Sequence, residues 1–118
     1  MLNQNFNNKA IVDSNSSKSV TSPCNGVSRI LLERNEDTEY AISTTLVEFA
    51  PNSSFDEHTH DFGEELLVLE GVFSDEHGDY PAGTYLRNPH GSRHTPFSKV
   101  GCKLLVKLRQ FQKFDVKK

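Results

Sequence analysis

The chain has 118 residues, 35% of them hydrophobic and 25% charged, which fits one globular domain with a single core. Thirteen Lys and Arg against 16 Asp and Glu give a net charge of −3, and the basic residues form no stripe, so a nucleic-acid partner is not expected. Two cysteines, Cys24 and Cys102, make neither a disulfide framework nor a C-x-x-C metal pair, which points to a reducing, cytoplasmic setting.

The first residues lack the basic-then-apolar pattern of a secretory leader, and no apolar run nears the ~20 residues of a membrane span. Residues 1–20 are rich in Asn and Ser, with scattered apolar side chains. They are expected to form a flexible tail, followed by a single domain over residues 21–118. Cys24, beside Pro23 and Asn25, reads as an exposed loop thiol without a role.

From Val27 onward the apolar pattern has period two, most cleanly where Leu104, Val106 and Leu108 alternate with Lys103, Lys107 and Arg109. Turn residues such as Pro51-Asn52, the run Asp75-Glu76-His77-Gly78, and Pro89-His90-Gly91 interrupt it about every ten residues. Short strands at that spacing predict an all-β sandwich or barrel. The best helical candidate, residues 64–70, is short and closed by Gly71. The charge-poor residues 40–46 are expected to form an edge strand buried against a second copy, giving a homodimer.

The chemistry concentrates after residue 57. On a strand, His58 and His60 share a face and present two imidazoles side by side. Past the turn at Gly63, Glu64 has the parity of Leu66 and Val68, so its carboxylate is expected to face inward, where it needs a cation or donors to stay ionised. His94 is the fourth candidate. Three imidazoles and one carboxylate suit zinc, iron, manganese, nickel or copper, and suit calcium or magnesium poorly. Glu65 has the opposite parity and is expected to face outward, although a ligand spacer of four residues leaves it open as an alternative to Glu64.

These residues follow a known arrangement. The chain resembles the cupin superfamily, whose first motif reads G-x5-H-x-H-x(3,4)-E-x6-G and whose second reads G-x5-P-x-G-x2-H-x3-N. His58, His60, Glu64 and Gly71 match the first motif, with Asn52 in place of its leading glycine. Gly83, Pro89, Gly91 and His94 match the second, with Ser98 in place of its final asparagine. Over residues 27–111 the chain is similar to one branch, the ChrR-type cupins, in which the domain is the sensory half of zinc-dependent anti-sigma factors and also occurs alone. The resemblance implies a double-stranded β-helix (jelly-roll) barrel with His58, His60, Glu64 and His94 around one metal, zinc or iron first. The H-x3-C-x2-C motif of the anti-sigma half is absent upstream of residue 27, so anti-sigma activity is not expected.

Two functions follow from this reading. One is a small-molecule metalloenzyme, dioxygenase-like with iron, whose catalytic residues and substrate the sequence does not name. The other is a metal or redox sensor acting on a regulatory protein partner, with Cys102 as its thiol. Cys102 shares the parity of Leu104 and Val106, which also fits a small buried hydrophobe. His77 and His90 fall in turns and read as solvated, with His90 able to support a ligand. Phe55, Phe73, Phe97, Tyr85 and Leu86 are expected to fill the barrel and its mouth.

Overall fold

The structure, a computed structural model, describes residues 3–21, 25–35, 41–55, 58–59 and 62–109. Eleven strands occur there: β1 (Val20–Thr21), β2 (Val27–Arg34), β3 (Ser43–Phe49), β4 (Ser53–Ser54), β5 (His58–Thr59), β6 (Glu64–Asp75), β7 (Gly78–Pro81), β8 (Tyr85–Asn88), β9 (Arg93–His94), β10 (Phe97–Ser98) and β11 (Cys102–Leu108). The described residues contain no α-helix, only a 3-10 turn at Ser14–Ser16 capped by the Asp13 carboxylate.

Nine strands form one sheet in the order β1-β2-β3-β11-β6-β10-β4, with β7 and β8 also paired to β6. The long strand β6 makes this sheet curl. Its first half pairs with β11 and β8, and residues 72–75 pair with β7 and β10 in the opposite layer. The change of layer falls at Gly71, whose φ of +75° only glycine adopts without strain. There the backbone lies so close to Gly101 that an added Cβ would stand 2.1 Å from the Gly101 carbonyl oxygen. Strands β5 and β9 form a separate two-stranded ladder. The result is the expected all-β jelly-roll barrel of the cupin type.

Burial follows strand parity. Glu64, Leu66 and Val68 of β6, Cys102, Leu104 and Val106 of β11, and Val47 and Phe49 of β3 face one interior, closed from the other layer by Phe73. Phe49 meets both Phe55 and Phe73 edge-on, with ring centroids 5.8 and 5.7 Å apart.

Residues 64–70 are strand, as the shared parity of Glu64, Leu66 and Val68 requires, and those three side chains are buried. Two expectations change. Strand β3 is no edge, since β2 and β11 flank it on both sides. Tyr85 does not fill the mouth: it lies half exposed on the outer face, with its hydroxyl donating to Glu65 at 2.7 Å. In the N-terminal segment, Val20 and Thr21 pair with β2, and the Asn3 side-chain amide donates to the Leu32 carbonyl at 2.8 Å. Cys24 lies outside the described residues. No helix among the described residues is long and apolar enough to cross a membrane.

Candidate metal centre

Glu64 is the first residue of β6. Two successive residues with positive φ, Phe62 (+62°) and Gly63 (+85°), turn the chain into that strand. The strain at Phe62 is offset by contacts with His90, whose Nδ1 accepts the Phe62 N–H at 2.8 Å and whose ring stacks on the Phe62 ring at 5.3 Å. The Gly63 carbonyl accepts the Arg109 N–H at 2.9 Å, which fixes the turn to the end of β11. His90 is therefore exposed, as expected of a turn histidine, and also braces the segment that leads into Glu64.

The Glu64 side chain is buried. Asn88, its direct partner across the β6–β8 ladder, donates Nδ2–H to Glu64 Oε1 at 3.1 Å. Burial removes water from the carboxylate and pushes its pKa up to about 7, against the weaker opposing effect of the Asn88 hydrogen bond. A neighbouring cation would reverse that shift.

His94, on β9, is 2% exposed. Its Nε2 faces Glu64 Oε1 at 3.8 Å, and its Nδ1 lies 3.2 Å from Asp75 Oδ2. Phe73 meets the ring edge-on at 6.3 Å. Glu64 and Asp75 are the two ends of β6, and twelve extended residues would hold them about 36 Å apart if the strand were straight. The fold at Gly71 brings both ends to one imidazole.

Of the other two expected ligands, His58 occupies the register position directly opposite His94 in the β5–β9 ladder, and His60 lies outside the described residues. Among the described residues no group of three His, Cys, Asp or Glu side chains forms a metal cluster. The pair that is described fits an ion. Two donors each about 2.0–2.2 Å from a first-row metal can stand up to about 4.3 Å apart, so Glu64 Oε1 and His94 Nε2 are within reach of a common centre. Glu65 is not: its carboxylate lies on the outer face with Tyr85.

Asp75 and Asn88 were not singled out by the sequence. Asp75 did carry a signal, since it has the parity of the buried Phe73. Asn88 gave none beyond preceding Pro89, because its role depends on pairing with Glu64. Cys102 is buried among Phe49, Phe73 and Leu104, and burial raises its thiol pKa against hydrogen bonds with Ser98 and Phe49.

No curated protein matches the chain. Solved structures similar to it include the polyketide cyclase RemF of Streptomyces resistomycificus, at 20% identity and TM-score 0.72, over 88% of this chain and 82% of that one. An acetylacetone dioxygenase of Acinetobacter johnsonii matches at 20% identity and TM-score 0.69, over 86% and 72%. The Rhodobacter sphaeroides complex of SigE with the anti-sigma ChrR matches at 23% identity and TM-score 0.66 over 79% of this chain, which spans half of the matched chain. At these identities the likeness is one of fold. The sequence itself matches the ChrR Cupin-like domain over residues 7–112, so the chain belongs to the ChrR cupin-like family.

Proposed function

We propose that the chain is a metal-binding cupin that acts on a small molecule, with His58, His60, Glu64 and His94 holding one divalent ion. Zinc or iron comes first, ahead of manganese, nickel or copper. The observation that carries this reading is the approach of His94 Nε2 to Glu64 Oε1, 3.8 Å apart in the barrel interior. When bound, such an ion supplies Lewis acidity or, if it is iron, redox chemistry toward oxygen. The chain's own residues do the rest. Asn88 holds the carboxylate, Phe73 walls the imidazole, and the apolar interior of Leu66, Val68 and Phe49 limits water around them.

One of the similar structures, an acetylacetone dioxygenase, makes 1,3-dicarbonyl compounds the first substrates to try. The test is elemental analysis of protein purified without added metal or an affinity tag, then oxygen uptake with acetylacetone. One ion per chain is expected, with occupancy reduced at least tenfold in Glu64→Ala and His94→Ala. A folded parent protein that takes up neither zinc nor iron would overturn the reading.

A second reading, a sensor acting on a regulatory protein, is favoured by the likeness to the SigE–ChrR complex. It would use Cys102, whose burial disfavours the reactive thiolate. Under mild peroxide the parent and Cys102→Ser are expected to keep their metal equally. Release from the parent alone would shift the assignment to sensing.

The same proposal includes a homodimer, with a second copy on the outer face of the sheet. Ile30, Leu46, Leu105, Leu67 and Tyr85 are successive register partners across five strands and form one apolar row. Glu33, Glu48, Glu65 and Glu70 flank it together with Lys103, Lys107 and Arg87, four acids and three bases. That balance suits a copy of the same surface better than a partner of one sign.

A further inference from the structure

Two successive carboxylates, at the end of β6 and the start of the turn after it, grip the chain at β9 and the residue that follows it. Asp75 takes the ring of His94, and Glu76 Oε1 accepts the backbone N–H of Thr95 at 2.9 Å. The Glu76 contact is exposed, and the Thr95 N–H holds that carboxyl below its ordinary pKa. The Asp75 contact is buried, with the two side chains 3% and 4% exposed.

Three donors surround Asp75 in a fixed division. The His77 N–H donates to Oδ1 at 2.8 Å, and the Tyr80 hydroxyl donates to the same oxygen at 3.2 Å. Burial first, and then the neighbouring Asp75 charge, raise the Tyr80 pKa, so the phenol keeps its proton and remains a donor. Oδ2 is thereby left to His94 Nδ1. A carboxylate oxygen only accepts, so the proton of a neutral imidazole belongs on Nδ1 and the lone pair on Nε2, the nitrogen that faces Glu64.

We infer that Asp75 is the positioning residue of the metal centre: through a hydrogen bond to His94 Nδ1 it fixes the tautomer that turns the Nε2 lone pair toward Glu64. The inference rests on the metal reading above for its use, but the tautomer itself is a property of the metal-free chain. Carboxylate partners of this kind typically contribute ten- to hundredfold to metal affinity.

The division of donors makes one substitution diagnostic. In Asp75→Asn the two donors at Oδ1 keep the amide oxygen there, so the amide nitrogen faces His94 Nδ1. A donor at that position drives the imidazole proton to Nε2 and blocks the lone pair a metal would need.

The experiment reads the His94 tautomer by 15N-resolved imidazole NMR in the metal-free parent and in Asp75→Asn, and Zn2+ affinity by calorimetry in both. The expected result is Nδ1–H in the parent, Nε2–H in the variant, and Zn2+ binding about ten- to hundredfold weaker in the variant. Nε2–H in the parent would overturn the inference whether or not the parent binds zinc, and it can be read even if the variant fails to fold. A folded variant with the switched tautomer and affinity unchanged within threefold would also overturn it. A parent with Nδ1–H that binds no Zn2+ would instead overturn the metal reading, and with it the use assigned to Asp75, while leaving the tautomer assignment standing.

Discussion

At Glu64 the cost of burying a carboxylate is visible in its pKa, about 7 against an ordinary value of 4.5. Because the folded-state value is raised, the metal-free fold binds the proton more tightly than the unfolded chain does. The associated stability is fully present below pH 4.5 and is lost as pH rises through 7. Between pH 5 and 8 the metal-free protein is expected to lose about 2.5 kcal/mol, measured by urea unfolding, and Glu64→Gln is expected to remove most of that slope. Saturating zinc at pH 8 is expected to restore stability to the parent, since a cation replaces the proton, and to do much less for Glu64→Gln. A parent whose metal-free stability rises over this range would contradict the assigned burial.

At the scale of the element, β6 depends on Gly71. Alanine there would place its Cβ against the Gly101 carbonyl and force a side chain into positive φ, so Gly71→Ala is expected to cost about 3 kcal/mol or more in denaturant unfolding. The alternation of β6 was legible in the sequence as parity, which placed Glu64, Leu66 and Val68 on the inner face with Cys102 and Val106 on theirs. What parity does not encode is which strand lies beside which. It could not show that β3 is flanked on both sides, that Tyr85 stands on the outer face, or that Asn88 meets Glu64. Parity pointed Asp75 inward but not to its partner, because the imidazole it meets is 19 positions away on another strand. The ligand candidates were readable because their spacing alone resembles a known pair of motifs, whereas the residues that orient them are set by pairing.

For the whole molecule, the apolar row from Ile30 to Tyr85 is expected to be covered in solution by a second copy. Leu67→Glu combined with Leu105→Glu should convert a dimer at micromolar concentration to a monomer in sedimentation velocity, with the circular dichroism spectrum unchanged. A monomeric parent would refute the contact. The barrel also has an internal clasp. His94 sits between the first and last residues of β6, which belong to opposite layers, so neither layer can swing away without pulling that imidazole from one of its neighbours. An ion seated on Glu64 and His94 would act as a pin through the clasp, and its removal would ease the opening of both layers together. Amide protons at the two ends of β6 would then exchange with one common rate, and that rate would rise when a chelator is added.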